Sequence, residues 1–124
     1  MNGLVDTTVL VDVLRGYSVG VEWVRRQGML AISPLVWMEL IDGVTNKKAQ
    51  FEAYSLLSHY YVVFLTEADI QWAMEKQLRY KLSHNVGIYD CLIASVNYRL
   101  QLPLYTRNLK HFRPLLGELA QQPY

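Results

Sequence analysis

The sequence predicts a three-layer α/β/α fold with a short, mainly parallel central sheet. Short aliphatic segments of strand length alternate with longer segments of helical character along the 124 residues. Aliphatic strands without polar alternation are typical of parallel sheets that helices cover on both faces. With 52% hydrophobic residues, the chain is long enough for one substantial core but too short for two. We therefore expect residues 1–124 to form a single domain.

Capping and break signals divide the first third of the chain. Asp6 and Thr7 belong to residue types that cap helices, and Gly16 is suited to end the helix that begins there. Gly28 breaks the chain before a second aliphatic segment. These signals predict a strand over Gly3 to Val5, helices from Thr7 through Leu14 and over Val19 to Arg26, and a strand over Met29 to Ile32.

The next two helices have clear start or side-chain signals. Serine before a proline at the first helical position, as in Ser33-Pro34, favours a helix start, and Asp42-Gly43 favours a stop. Because the helix between them, Pro34 to Ile41, is nearly all apolar, we expect it to be buried. A second, amphipathic helix is predicted over Asn46 to Ser58. Its apolar positions are Phe51, Tyr54, Leu56 and Leu57.

The second half predicts two more strands and three more helical segments. Tyr61 to Leu65 is the clearest strand, and Thr66 before two acidic residues predicts the start of a helix that ends near Leu82. The apolar positions of that helix are Ile70, Ala73, Met74 and Leu78. The remaining predicted elements are a loop over Ser83 to Gly87, a buried helix over Ile88 to Tyr98, a strand over Leu104 to Tyr105 and a closing element over Leu109 to Leu116.

Charge and composition narrow the class of protein. A net charge of +1 argues against a protein that holds nucleic acid mainly by bulk electrostatic attraction. The segment from Lys76 to Gly117 nevertheless contains seven basic residues and one acidic residue, which forms either a solvated face or a rim that attracts phosphate. No apolar run approaches the ~20 residues of a membrane span, and no signal-peptide pattern is present, so we expect a cytoplasmic protein without membrane association. The single cysteine, Cys91, is expected in the core.

Three carboxylates interrupt apolar segments. Asp6 lies between Leu4-Val5 and Val9-Leu10-Val11, Glu39 is the only charged residue between Pro34 and Ile41, and Asp90 precedes Cys91-Leu92-Ile93-Ala94. Burial of an unpaired carboxylate is costly. A shared divalent cation would offset both the desolvation of three such groups and their mutual repulsion, so the pattern suggests that they meet around a metal ion.

Structural roles for these acids remain open at this point. Asp6 and Asp90 are also placed to cap helices, whereas Glu39 would need a buried partner. Asp12 and Asp42 lie near helix ends and are interpreted as structural residues. Ligands of parallel α/β sheets bind beyond the carboxyl ends of the strands. Asp6 lies at such an end, which favours the metal-site interpretation.

Four blocks carry the three acids or close the chain: LVDTTVLVDVLRG at 4–16, SPLVWMELIDG at 33–43, GIYDCLIAS at 87–95 and LPLYTRNLKHF at 102–112. In this order they resemble the motifs of PIN-domain ribonucleases, specifically the VapC-type toxins of type II toxin–antitoxin modules. Each block alone is a weak pattern, but the ordered set spans nearly the whole chain. It selects the same three carboxylates that interrupt the apolar segments.

The resemblance implies a PIN-like fold and metal-dependent hydrolysis of RNA phosphodiester bonds. Carboxylate ligands select hard cations, so Mg²⁺ or Mn²⁺ is expected. Asp6 and Asp90 are predicted as the main ligands, with Glu39 as a third ligand or as a group that orients water. Thr7 is predicted to hold Asp6 or a metal-bound water. The predicted contacts to the RNA backbone are Arg107, Lys110 and Arg113.

The closing block departs from the family pattern. Many relatives have an acid directly before the phenylalanine, where this chain has His111, and Asn108 occupies the other position that often carries Asn or Asp. A fully acidic quartet is therefore missing. Asn108 is able to bind a metal-bound water and His111 to serve a phosphate or leaving group, but both are equally suited to loop or cap roles.

Two other functions compete with the ribonuclease. An aspartate-based phosphohydrolase or receiver domain also places an aspartate after the first strand, but it would need a second acid near Asp6, which Thr7 and Thr8 do not supply. A catalytically degenerate domain that only binds partners would explain Asn108 and His111, but it would not explain the three retained acids. By resemblance, the expected partners are RNA, a cognate antitoxin and a second copy of the chain.

Overall fold

Five short strands and seven α-helices make up the computed structural model, which describes residues 1–124. The strands are β1 Gly3–Val5, β2 Leu30–Ile32, β3 Tyr61–Val62, β4 Leu104–Tyr105 and β5 Ala120–Gln121. The helices are α1 Thr7–Leu14, α2 Ser18–Arg26, α3 Pro34–Asp42, α4 Lys47–Leu57, α5 Glu67–His84, α6 Ile88–Leu100 and α7 Leu109–Leu116. A short 3-10 turn, Gly117–Leu119, connects α7 to β5.

All five strands are parallel, and their order in the sheet is β3-β2-β1-β4-β5. The central strand is β1, where Leu4 pairs with Ala31 of β2 on one side and with Leu104 of β4 on the other. The chain runs outward from β1 to β3, crosses to β4 and then continues outward on the other side. The direction of the crossovers therefore reverses between β1 and β4, which is where sheets of this type bind ligands.

The reversal distributes the helices over both faces of the sheet. Right-handed crossovers place the helices that connect β1, β2 and β3 on one face and the later helices on the other. Helices α1 to α4 accordingly pack against one another, and α5 to α7 pack against one another. Helices α3 and α6, from the two different layers, also make contact. The predicted three-layer α/β/α fold is confirmed.

Local sequence signals explain several element boundaries. The hydroxyl of Ser33 accepts a hydrogen bond from the backbone N–H of Val36, 3.4 Å away, at the start of α3. At the start of α5, Thr66 and Asp69 exchange two side-chain to backbone bonds of 2.9 and 3.1 Å, which satisfies two otherwise unpaired N–H groups. Asn85 ends the same helix in a left-handed conformation, with a φ of 52°, which Asn adopts more readily than most residues.

A core of 22 buried apolar residues fills both interfaces between sheet and helices. The three β1 residues are buried, and Leu10 of α1 is fully enclosed. Cys91 is buried as well, as predicted from its apolar surroundings. None of the helices combines the length and the apolarity that crossing a membrane requires.

Away from the sheet edges, the predicted boundaries agree with the structure to within two residues. The strand expected over Tyr61 to Leu65 has only two residues, because β3 lies at the edge of the sheet and pairs only with β2. The fifth α-helix continues to His84, beyond Leu82. Strand β5 was not predicted, since Ala120–Gln121 is short and half polar and forms a strand only by pairing with β4.

Several apolar side chains predicted to be buried are exposed. In α3, Val36 and Leu40 are buried, whereas Met38 is 52% exposed and Glu39 is also exposed. A helix that lies on a sheet buries only one stripe, so an apolar sequence does not by itself bury every face. The same correction applies to α4 and α5. The predicted apolar positions of those helices that are exposed are Phe51, Tyr54, Ile70, Met74 and Leu78.

Replacement of Leu10 by alanine tests the assignment of the core. Leu10→Ala removes a fully buried side chain, and we expect it to lower the free energy of unfolding by about 2–5 kcal/mol. The matched control is Leu82→Ala on α5, where the leucine is 99% exposed and the expected change is within about 0.5 kcal/mol. Urea unfolding measures both. Equal effects of the two substitutions would contradict the predicted packing.

Candidate active site

Side chains from three neighbouring strands meet at the carboxyl edge of the sheet. Asp6 follows β1, Ser33 follows β2 and Thr106 follows β4, and all three residues are buried. Asp6 and Thr106 flank the point between β1 and β4 where the strand order reverses. Because ligands of open α/β sheets bind at this point, these residues define the floor of the candidate site.

Two hydroxyl groups hold the carboxylate of Asp6. Thr106 and Thr8 donate hydrogen bonds of 2.9 and 3.0 Å to the same oxygen, Oδ2. Asp6 occupies the N-cap position of α1, but its side chain makes no cap hydrogen bond. The simple cap interpretation of Asp6 is therefore wrong, because its carboxylate is committed to the site.

Burial raises the pKa of Asp6 above its ordinary value, against the opposing effect of the hydrogen bonds from Thr106, Thr7 and Thr8. The negative charge of Asp90 raises that pKa further. A side chain that is only 5% exposed thus carries a charge that three hydrogen bonds do not fully stabilise. A cation at this position would remove the deficit.

The two threonines also fix the loop that follows β4. The hydroxyl of Thr106 accepts a bond of 2.9 Å from the backbone N–H of Asn108, and the hydroxyl of Thr8 accepts one of 3.1 Å from the backbone N–H of Arg107. Sequence reasoning missed both threonines. A signal was available, since Thr106 follows the aliphatic pair of β4 in the same way that Asp6 follows that of β1.

Glu39 reaches the site from the exposed side of α3. The hydroxyl of Thr7 donates a 3.0 Å hydrogen bond to its Oε1. Desolvation raises the pKa of Glu39, the bond from Thr7 opposes that shift, and the charges of Asp6 and Asp90 add to it. The expectation that the helix from Pro34 to Ile41 is buried does not hold at Glu39, whose side chain is exposed. Thr7 is predicted to hold Asp6 or a metal-bound water; its hydroxyl contacts Glu39, whereas its backbone N–H is the group that bonds to Asp6.

Asp90 is the third residue of α6, and its side chain contacts α7. Its Oδ2 accepts a 3.4 Å bond from the backbone N–H of Gly87 and lies 3.2 Å from Nδ1 of His111. The side chains of Asp90 and His111 are 20% and 45% exposed. Asp90 therefore does receive a cap bond, but His111, at the position where many relatives carry an acid, contacts the same oxygen.

The three carboxylates supply the oxygen ligands that a hard divalent cation prefers, but they do not enclose a metal site by themselves. Side-chain donors contact only one oxygen of each carboxylate, and the charges of Asp6 and Asp90 act on their neighbours' pKa values. No group of three or more His, Cys, Asp or Glu side chains converges closely enough to hold a metal alone. Mg²⁺ commonly uses one or two carboxylates with waters and substrate phosphate, which matches this open arrangement.

Arg107 is held by a cluster on the side of α1 and α2. Its Nη1 donates a 2.9 Å bond to Oδ2 of Asp12, which also accepts a 2.7 Å bond from the Tyr124 hydroxyl. The guanidinium lies 5.5 and 5.3 Å from the ring centres of Tyr17 and Tyr124. Asp12 is thus a structural residue, as predicted. Although burial acts to raise it, the bonds from Tyr124 and Arg107 lower the pKa of Asp12.

The other bases of the C-terminal third differ in their availability. Arg99 pairs with Asp69 through Nε at 3.0 Å, so it does not contribute a free charge to the rim. Lys110 and Arg113 of α7 are exposed and take part in no ion pair. Asn108 precedes α7, and its side chain forms no cap hydrogen bond.

A cleft opens beside the acids on the side of α3. It has a volume of about 430 Å³. The residues that line it are Leu35, Met38, Glu39, Asp42 and Tyr89. Because Glu39 is one of the three carboxylates and also lines the cleft, the cleft adjoins the carboxylate group.

Comparison with known proteins shows the family of this chain. The family model of the PIN domain matches residues 3–113. The chain is 33% identical over 127 residues to Ribonuclease VapC19 of Mycobacterium tuberculosis, with 98% of each protein covered. It is 26% identical over 125 residues to Ribonuclease VapC1 of Rickettsia felis, covering 94% of this chain and 92% of that protein. The chain belongs to the PIN-domain family, in its VapC-type branch, which confirms the resemblance found in the four sequence blocks.

Solved structures show the same fold. A toxin–antitoxin complex from Klebsiella pneumoniae aligns with a TM-score of 0.77 at 23% identity, over 98% of both chains. VapBC2 of Rickettsia felis, crystallised with a DNA fragment from its promoter, aligns with a TM-score of 0.73 at 24% identity, over 89% of this chain and 90% of that one. At these identities the similarity concerns the fold.

The buried hydroxyl of Thr106 is testable by an isosteric change. Thr106→Val removes a donor to a carboxylate and leaves the Asn108 N–H without its acceptor. We expect the free energy of unfolding to fall by about 1.5–3 kcal/mol. The control is Thr45→Val, at an exposed position in the α3–α4 loop, with an expected change within about 0.5 kcal/mol. A neutral Thr106→Val would show that the bond to Asp6 is not stabilising.

The raised pKa of Asp6 predicts a pH-dependent stability. As the pH rises above 3.8, the ordinary pKa of Asp6, the folded state retains the Asp6 proton to a higher pH than the unfolded state does. The wild type therefore loses stability until the pH has passed the pKa of the folded state. In chelator, the stability of Asp6→Asn relative to the wild type should therefore increase as the pH rises from about 4 to 8, as measured by urea unfolding.

Asp12→Asn supplies the opposite sign as a control. The lowered pKa of Asp12 stabilises the folded wild type at pH values above the ordinary pKa of the residue. This stabilisation is lost as the pH falls through the folded pKa. The advantage of the wild type over Asp12→Asn should therefore grow as the pH rises. A pH-independent difference for Asp6→Asn would refute the assigned direction.

Proposed function

We propose that this chain is a metal-dependent endoribonuclease that acts as the toxin of a toxin–antitoxin pair. The main support is that Asp6, Glu39 and Asp90 of this VapC-type PIN chain lie close enough for the charge of Asp90 to raise the pKa values of Asp6 and Glu39. Two relatives of nearly the same length are named ribonucleases. In the proposed reaction, water hydrolyses an RNA phosphodiester bond. We further propose that residues 1–124 act as one nuclease domain.

Asp6 and Asp90 are the proposed ligands of a Mg²⁺ or Mn²⁺ ion, with Glu39 as a third ligand or as the group that orients the attacking water. Bound there, the ion would act as a Lewis acid toward the phosphate and lower the pKa of water. Asp6 supplies a carboxylate that Thr8 and Thr106 hold in one orientation. Glu39 is held by Thr7 through Oε1, which leaves Oε2 to accept a hydrogen bond from water.

The basic residues of α7 are the proposed contacts to the RNA backbone. Lys110 and Arg113 have no anionic partner in the chain, so their charges are available to phosphate. Arg107 was predicted for the same role, but its guanidinium is bound to Asp12, and we propose that it supports the site loop instead. Contacts of this kind place the RNA without specifying its sequence.

An antitoxin and a second copy of the chain are the proposed protein partners. The structural relatives include toxin–antitoxin complexes. Apolar side chains on the surface of α5 supply area for such contacts, since Met74, Leu78 and Leu82 are 63%, 87% and 99% exposed. We propose that the toxin acts in the cytoplasm, where its RNA substrate is found.

A degenerate PIN domain that only binds partners is the remaining alternative. Its motivation is the absence of a fourth acid, since His111 lies against Asp90. It leaves unexplained why the charge of a buried Asp6 is retained beside two further carboxylates. A domain without catalysis would gain stability from a neutral residue there.

Cleavage of RNA by the purified chain tests the proposed function. Asp6→Asn and Asp90→Asn should each lower the rate by at least about 100-fold, because a metal ion contributes several kcal/mol to the transition state. Chelator should have the same effect, and Mg²⁺ or Mn²⁺ should reverse it. Expression of the wild type should arrest growth, and both variants should relieve the arrest.

Glu75→Gln is the charge-matched control for these substitutions, since Glu75 is exposed on α5 and we assign it no role at the site. It should leave the dependence on metal unchanged. Full activity of Asp6→Asn, or full activity of the wild type in chelator, would overturn the metal-dependent mechanism.

A further inference from the structure

The cleft between α3 and α6 contains side chains that neither the core nor the metal chemistry explains. Tyr89 and Met38 are 59% and 52% exposed, and they directly precede Asp90 and Glu39. Leu35 completes an apolar wall, and Asp42 adds a carboxylate at the edge. An exposed aromatic ring beside a cleft of about 430 Å³ contributes little to folding. Its position next to the acids therefore suggests contact with the substrate.

Charge indicates which part of an RNA strand fits this cleft. Glu39 and Asp42 line it, and both carboxylates repel phosphate. Basic residues lie on α7, where His111 contacts Asp90 and Lys110 is exposed. A strand that crosses the acids would place its phosphates toward α7, and an adjoining base, which is uncharged, would lie toward α3. The apolar wall matches the uncharged face of a base, and the acceptor oxygens match its N–H groups.

We propose that this cleft is a nucleobase subsite, in which the ring of Tyr89 stacks on an unpaired base and Asp42 accepts hydrogen bonds from its N–H groups. The inference rests on the proposed ribonuclease function and adds a substrate-binding residue to it. Unpaired RNA bases are commonly bound by aromatic stacking together with hydrogen bonds to their edges. The subsite therefore selects single-stranded RNA.

The binding experiment uses a fluorescein-labelled, randomised 12-nucleotide RNA and a fully abasic 12-nucleotide backbone of the same charge. Asp6→Asn serves as the background, so that RNA is not cut during measurement. Adding Tyr89→Ala should weaken binding of the randomised RNA by about 5- to 150-fold. It should change binding of the abasic backbone by less than about twofold, because no base remains to stack. Fluorescence anisotropy reports both constants.

Matched variants separate stacking from other effects. Tyr89→Phe keeps the ring and should bind the randomised RNA within about twofold of the Asp6→Asn background. Tyr54→Ala removes an equally exposed helical tyrosine, at 60% exposure, outside the cleft and should have no effect. In the active protein, Tyr89→Ala should raise KM for the randomised RNA and leave kcat within about twofold, because stacking is equal in ground and transition states.

Each outcome has a defined meaning. Unchanged binding and KM in Tyr89→Ala would overturn the subsite while the ribonuclease stands, and so would equal losses with the randomised and abasic RNAs. Loss of antitoxin binding alone in Tyr89→Ala would assign the cleft to a protein partner and also overturn it. If the folded wild type neither binds nor cleaves RNA, the proposed function fails, and the subsite fails with it.

Discussion

The buried charge of Asp6 is the constraint on which the rest of the site depends. It lies at the end of the central strand, where water is nearly excluded, and one of its oxygens accepts bonds from Thr8 and Thr106. Those bonds reduce the cost of burial without cancelling it, since the pKa of Asp6 remains raised. A fold that only needed stability would place a neutral side chain here. These unfavourable electrostatics are the observation on which the proposed cation site rests.

The bonds that hold Asp6 connect the site to the far end of the chain. Thr8 accepts from the backbone of Arg107, whose guanidinium bonds to Asp12, and Asp12 also accepts from Tyr124. Gly20 permits this packing, because a Cβ there would lie 2.8 Å from the Tyr124 hydroxyl oxygen. Strand β5 pairs with β4 just before Tyr124. The position of the loop after β4, and with it the support of Asp6, thus depends on contacts made by the last residues.

The side chain beside Asp90 at the start of α7 is a histidine rather than a fourth acid. His111 contacts Asp90 at 3.2 Å and replaces a negative charge with an aromatic ring, which reduces repulsion among the remaining carboxylates. The two layers of helices make contact at this edge through α3, which supplies Glu39, and α6, which supplies Asp90. The acids therefore adjoin the apolar and acidic cleft at α3 through Glu39 and the first turn of α7 through Asp90, and the proposed path of the RNA rests on this arrangement.

The sequence by itself determined the fold class, most element boundaries and the identity of the three acids, because apolar patterns, caps and isolated carboxylates are local signals. It did not determine which faces are buried. Glu39 lies in an apolar segment but is exposed, since a helix on a sheet buries one stripe only. Only the tertiary structure decided that Thr7 holds Glu39, that Thr106 holds Asp6 and that Arg107 pairs with Asp12. Those contacts join residues 32 to 100 positions apart, and hydrogen bonds at such separations exist only after the strands have aligned.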